Sequence, residues 1–208
     1  MKLIATSVDY ADYLERSLPT WLAPAAEALV VTTPTDEATA GVCRRLQVPI
    51  FQTTVFHDGG APFAKASALV AAMEATDWLQ PPGWRCLIDA DICLPPDWLA
   101  AFYATQPQTD FLYGAARFDE AGKQIKVCGM AGYFQIFHST DRRVQRRPML
   151  SLKWSSAAGY DMEFKWRWRR RKRIWLPLRL THLGEPRRNW FGRGNPMRWG
   201  RLKHRSVP

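Results

Sequence analysis

No apolar run in this chain approaches the roughly 20 residues that a membrane-spanning helix needs. Cysteine is sparse and scattered. Cys43, Cys86, Cys93 and Cys128 contain no CxxC spacing, which argues against a zinc site. The N-terminus, Met1-Lys2-Leu3-Ile4-Ala5-Thr6-Ser7-Val8-Asp9, meets an acid before any signal-peptide core can form, and reads as a first strand. These absences lead us to expect a cytoplasmic protein with reduced, mostly buried thiols. Neither an internal repeat nor a clear linker interrupts the 208 residues, so one domain is expected. A hydrophobic content of 47% suffices for a globular core.

Acidic residues are scarce in one region only. Residues 165–208 hold fifteen Lys/Arg and the single acid Glu185, a balance of +14, whereas residues 1–164 hold fourteen basic and eighteen acidic residues, a balance of −4. The two sum to the net charge of +10. A basic C-terminal quarter on a mildly acidic body implies a polyanionic partner. A single diphosphate needs two or three cations, so DNA or an anionic membrane surface touched peripherally fits better.

Hydrophobic period alternates along the chain between two and about 3.6 residues, which predicts an α/β fold. Strands are expected over 2–8, 27–33, 49–54, 84–88, 111–118 and 133–138. Helices are expected over 10–18, 36–47 (N-capped by Thr35), 63–78 and 96–104. Residues 57–62, His-Asp-Gly-Gly-Ala-Pro, read as a loop. Residues 161–173 fit either period and are assigned to helix. Alternation resumes at Ile174, Leu176, Leu178 and Leu180 toward Thr181-His182. Residues 186–208 are rich in Arg, Trp, Gly and Pro without a period, as expected of an extended arm or a flap.

Against this plan one stretch carries chemistry. In Cys86-Leu87-Ile88-Asp89-Ala90-Asp91, an apolar strand ends in two aspartates one residue apart. Residues i and i+2 of a strand point the same way, so both carboxylates can face one ligand. Open α/β sheets bind ligands at such strand tips. Two hard oxygen donors suit Mg²⁺ or Mn²⁺, which take further ligands from substrate phosphates. A metal-held diphosphate, as in a nucleotide-sugar, is the reading that follows. The bland alternative is a pair of carboxylates capping a turn or the helix after Pro96.

The order of these segments resembles the GT-A-type glycosyltransferases, and in particular their large inverting group. The resemblance spans residues 3–184. It implies a single Rossmann-like domain with a mixed, mostly parallel sheet flanked by helices. Residues 1–91 would form a nucleotide-binding half, 92–185 an acceptor half and 186–208 a basic arm. Thr6, at the end of the first strand, and Thr33 with Asp36, after the second, fall where the family meets the donor nucleoside. Phe63-Ala64-Lys65-Ala66 matches an aromatic-X-Lys-small helix start and makes Lys65 a diphosphate contact. Asp89-Ala90-Asp91 matches the metal motif, with Asp89 and Ala90 also meeting the donor. His182-Leu183-Gly184 resembles a histidine that completes the metal shell in some members. Gly132-Tyr133-Phe134-Gln135-Ile136-Phe137 resembles the segment shaping the acceptor side. Gly159-Tyr160-Asp161-Met162-Glu163 resembles the acidic motif, making Asp161 the expected base and Glu163 the second candidate. The alternative is that Asp161 merely caps the following helix; the resemblance favours the base. Arg193 belongs to a mixed Arg/aromatic stretch that would close over the donor or touch a nucleic-acid backbone.

The resemblance further implies a Mn²⁺ or Mg²⁺ cofactor, a uridine diphosphate sugar as donor and inversion at the sugar. Small proteins of this kind occur in bacteriophages, where some modify DNA bases; a hydroxymethylated base would then be the acceptor, in the host cytoplasm. Rival readings are a glycan or lipid acceptor at a membrane, a non-catalytic nucleic-acid binder on a degenerate scaffold, and a nucleotidyltransferase. The last would carry a Gly-rich basic loop after the first strand, where this chain has Ser7-Val8-Asp9-Tyr10.

Overall fold

The computed structural model describes residues 1–125, 130, 132–185 and 193. Within them the chain alternates β1 (Lys2–Thr6), α1 (Ala11–Trp21), β2 (Glu27–Thr32), α2 (Glu37–Arg45), β3 (Ile50–Gln52), α3 (Lys65–Ala75) and β4 (Trp84–Ile88). There follow β5 (Ile92–Cys93), α4 (Trp98–Ala104), β6 (Leu112–Phe118), β7 (Phe134–His138), α5 (Tyr160–Trp166) and β8 (Arg173–His182). Cys128 and the arm, apart from Arg193, lie outside the described residues.

The described strands form one mixed eight-stranded sheet in the order β3-β2-β1-β4-β7-β6-β8-β5. β3, β2, β1 and β4 run parallel, β7 is antiparallel to both β4 and β6, β8 is parallel to β6, and β5 is antiparallel to β8. The strands alternate their side chains between two apolar layers. Leu3, Ala5, Val30, Cys86 and Ile88 face one layer, filled by Leu14, Leu18 and Trp21 of α1, Val42 of α2 and Trp98 and Phe102 of α4. Ile4, Leu29, Val31 and Leu87 face the other, filled by Leu69 and Met73 of α3 and Phe164 of α5. Burial on both faces explains the near-continuous apolar runs of β1, β2 and β4.

The chain winds outward through β1, β2 and β3, then returns to place β4 on the other side of β1. The strand order therefore reverses between β1 and β4, and α/β sheets bind ligands in the crevice at such a point. Residues 7–9 and 89–91 leave the sheet there.

Several boundaries differ from the sequence expectations. α2 is N-capped by Asp36, not Thr35: its carboxylate accepts from Thr39 N at 3.0 Å. α1 continues through Pro19 to Trp21. The expected loop at 57–62 begins as a 3-10 turn over Val55–Gly60. Of 161–173, only the part up to Trp166 is α-helical; a 3-10 turn over Arg170–Lys172 follows, and β8 starts at Arg173. β5 is two residues long, too short for any periodic signal. β6 and β8 slip register between Ala115 and Ala116, and Pro177 lies in the stretch of β8 skipped by the slip, where a residue without an N–H costs no ladder bond.

Candidate functional site

The two aspartates sit where the sequence placed them, directly after β4. Their loop is clamped from beneath by α1. Ser17 Oγ donates to Ala90 O (2.6 Å), Trp21 Nε1 donates to Ile92 O (2.7 Å), and Leu94 N donates to Thr20 Oγ1 (2.9 Å). From the side, Asp89 N donates to Tyr133 O (3.1 Å) and Leu183 N donates to Asp91 O (2.8 Å). Three elements distant in sequence thus fix the single segment 89–94. Ala90 is buried, and its role here is its carbonyl.

Asp89 forms an ion pair with Lys65, the first residue of α3. Burial alone would raise the Asp89 carboxyl, but the adjacent ammonium reverses this and holds it below the usual carboxylate range. Burial likewise works against the Lys65 charge, and Asp89, Tyr160 and Asp91 together more than restore it. Asp91 has the opposite fate. Desolvation, aided by repulsion from Asp89, pushes its carboxyl up to about 7. Its Oδ2 lies 3.5 Å from His182 Nε2, while its Oδ1 is buried without a partner. His182 Nδ1 is also buried without a partner. Burial and the nearby Arg117 lower the imidazole pKa, so His182 is neutral at pH 7.

Arg117 was not anticipated. It is buried in β6, its Nε has no partner, and its guanidinium lies 4.5 Å over the Tyr133 ring. Its charge acts on Asp89, Asp91 and His182. The available signal was an arginine inside the otherwise apolar strand Leu-Tyr-Gly-Ala-Ala-Arg-Phe. Tyr160, against Lys65, was also missed as a site residue. Burial pushes its phenol well above the usual value.

Asp161 stands in the first turn of α5. Its Oδ2 accepts from Gly132 N at 2.6 Å and its Oδ1 from Gly159 N at 3.2 Å. Gly159 is the N-cap, so Asp161 ties the helix start to Gly132, just ahead of β7, rather than capping the helix. A Cβ at position 132 would collide with Asp161 Cβ, so this approach requires glycine. Burial raises the Asp161 carboxyl despite the Gly132 N–H, and the Asp89 charge adds to the rise. Glu163 instead pairs with Lys153. Burial would raise it, but Lys153, Ser151 and Trp154 hold it below its usual range.

Thr6, Thr33 and Asp36 lie at the same edge of the sheet, at the ends of β1 and β2. Thr6 and Thr33 are buried, and Thr33 Oγ1 lies 3.3 Å from Thr35 Oγ1. Asp36 is fully engaged. Besides Thr39 N, its carboxylate accepts from Asp9 N (2.8 Å) and Thr32 Oγ1 (3.1 Å), stapling α2 to the β1 loop. Arg193 reaches this corner too: it pairs with Asp12, donates to Asp9 O (3.1 Å) and covers Tyr13 at 4.5 Å. Hydrogen bonding to Arg193 lowers the Asp12 carboxyl.

For a divalent cation the donor set is chemically apt: two carboxylates and a neutral imidazole, with Asp91 Oδ1 buried and unsatisfied and His182 Nε2 beside Asp91 Oδ2. Among the described residues, no three His, Cys, Asp or Glu side chains are gathered into a ready-made cage. Asp89 is turned to Lys65 instead.

No family model and no curated protein matches the chain. Solved structures do resemble it. A 4-diphosphocytidyl-2C-methyl-D-erythritol synthase superposes with a TM-score of 0.50 at 16% identity, covering 89% of this chain and 90% of its own. A mycobacterial protein superposes with a TM-score of 0.50 at 11% identity, covering 88% of this chain and 64% of its own. Mouse xyloside xylosyltransferase 1 aligns over 55% of this chain and 52% of its own, at 12% identity and a TM-score of 0.36, too loosely to argue from. The fold shared with the first of these is a single Rossmann-like α/β domain with a mixed sheet flanked by helices. Identities this low leave chemistry to the site itself.

Proposed function

We propose that this protein is a metal-dependent glycosyltransferase that moves a sugar from a nucleoside diphosphate donor, a uridine diphosphate sugar by its sequence resemblance, to an acceptor hydroxyl. The observation that carries the reading is the pair Asp89 and Asp91 at the strand-order reversal, with Asp91 Oδ1 buried and unpartnered and His182 Nε2 3.5 Å from Asp91 Oδ2. Asp91, His182 and Asp89 would hold Mn²⁺ or Mg²⁺. The bound ion supplies positive charge against the departing diphosphate. Lys65 and Arg117 add fixed cationic charge in a buried setting, where it counts for more than in water.

Asp161 takes the acceptor's proton as the acceptor oxygen bonds to the anomeric carbon and the nucleoside diphosphate leaves, inverting the centre. Its raised pKa strengthens it as a base. Glu163, ion-paired with Lys153 and held below its usual pKa, is the weaker candidate. Thr6, Thr33 and the Asp36 corner border the nucleoside side, and Arg193 covers that corner. Residues 1–91 serve the donor and 92–185 the acceptor. The charge imbalance of the C-terminal quarter favours a polyanionic acceptor, and we take a hydroxymethylated base in DNA as the one to test.

The nucleotidyltransferase rival fits less well, because the corner after β1 is Ser7-Val8-Asp9-Tyr10, with no Gly-rich basic loop. The test is incubation with a radiolabelled uridine diphosphate sugar, Mn²⁺ and hydroxymethylcytosine-containing duplex. Label in the DNA supports the full reading. Release of uridine diphosphate without DNA labelling supports the donor chemistry and rejects the acceptor. No turnover of any nucleotide-sugar rejects both.

A further inference from the structure

The two edges of the sheet differ in charge. Carboxylates gather at the C-terminal end of β4. Because β7 is antiparallel to β4, with Trp84 opposite His138, the turn after β7 lies at the other edge. β6 and β8 both begin there, Leu112 opposite Arg173. These segments enclose a cleft of about 580 Å³.

Arg142, Arg143, Arg169, Arg171 and Lys172 line this cleft against two acids, Asp110 and Asp141. Both acids are taken. Asp141 is buried, pairs with Arg143 at 3.0 Å and accepts from Trp168 Nε1 at 3.0 Å. Asp110 pairs with Lys172. Arg167 Nη1 also donates to Arg143 O at 2.9 Å, which fixes the wall. Arg142, Arg169 and Arg171 are exposed and pair with no carboxylate among the described residues. Three free guanidinium groups thus share one concavity with a buttressed wall.

Guanidinium forks match phosphate oxygens two at a time. The Thr109 and Thr140 side chains on the lining are further polar partners for such an anion. The lining contains no apolar side chain, and its shape is concave, so a flat bilayer surface is a poor match. The charge also runs past the cleft: Arg146, Arg147 and Arg170 are exposed beside it in the chain. A cationic surface larger than its cleft suits a polymer of phosphates better than one phosphate.

We propose that this cleft binds the phosphodiester backbone of a nucleic acid. It is separated from Asp91 by the length of β4, five residues or about 17 Å at the usual rise per residue. It therefore anchors the polymer away from the reacting tip, and it does so whether or not sugar is transferred there.

The test is fluorescence anisotropy of a labelled DNA duplex with the full chain across a salt series. The R142A/R169A/R171A variant should bind roughly two orders of magnitude more weakly at low salt, with a log–log salt slope about three smaller than that of the parent. Each single variant should lower the slope by about one, which keeps the test decisive if the triple variant folds poorly. Asp91→Ala should bind duplex like the parent, separating this site from donor chemistry. An unchanged slope in the variants, or no duplex binding by the parent, overturns the proposal. So does a variant that keeps duplex binding but loses phosphatidylserine vesicles, which would assign the cleft to a membrane.

Discussion

Lys65 and Asp89 meet as an ion pair although 24 residues separate them, with the lysine side chain 9% exposed and the aspartate 30%. The pair ties the start of α3 to the end of β4 beneath the candidate site. Removing one partner strands the other charge in a desolvated place. Lys65→Ala should destabilise the fold by about 3 kcal/mol, and Lys65→Met with Asp89→Leu should recover most of that loss. Urea denaturation of the three proteins checks this. A K65A variant as stable as the parent would mean that Asp89 is solvated.

Asp91 sets a pH dependence in metal-free protein. Its folded pKa, about 7, lies above the ordinary 3.8, so the folded state keeps a proton that the unfolded chain has released. Stability then falls as pH rises from about 4 to about 7 and is level beyond. Asp89, with its lowered pKa, titrates below that window. Asp161, also raised, adds to this decline and His182, lowered, opposes it. In EDTA, Asp91→Asn should remove the Asp91 contribution alone, so its melting midpoint should pull ahead of the parent's across the window and stay ahead above it. A constant gap at all pH values contradicts this assignment.

Gly132 has no room for a side chain beside Asp161. Gly132→Ala should cost about 1–3 kcal/mol through overpacking and should displace the Asp161 carboxylate. Turnover should drop more than donor affinity, because the acceptor base moves while the metal tip does not. Equal losses in kcat and in donor binding would argue that Asp161 only supports the tip.

The clamp from α1 gives a subtler prediction. Trp21→Phe deletes the bond to Ile92 O and leaves a buried carbonyl unpaired, so it should cost about 1–3 kcal/mol. Thermal unfolding measures it. No change would mean that the carbonyl finds another donor.

The alternation of strands and helices was legible because buried parallel strands and amphipathic helices carry distinct periods. The aspartate tip was legible for the same reason: an apolar strand stops at Asp89. The strand order was not. Inserting β7 between β4 and β6 depends on pairing between segments some fifty residues apart, such as Ile88 opposite Phe134. The 161–173 stretch matched two periods at once, and packing of Phe164 and Trp168 into the core decided it. Lys65 was expected at the site, but its pairing with Asp89 is a tertiary fact. Asp36 was expected at the donor, but no local pattern shows that its oxygens are filled by Asp9, Thr32 and Thr39.

The central claim rests on Asp91 binding a metal that in turn holds a nucleotide-sugar. Calorimetric titration of uridine diphosphate sugars into the parent and into Asp91→Ala, with and without Mn²⁺, tests it most directly. The account predicts Mn²⁺-dependent binding to the parent and none to a folded Asp91→Ala variant. Equal donor affinity in both proteins, or binding that ignores Mn²⁺, would contradict it.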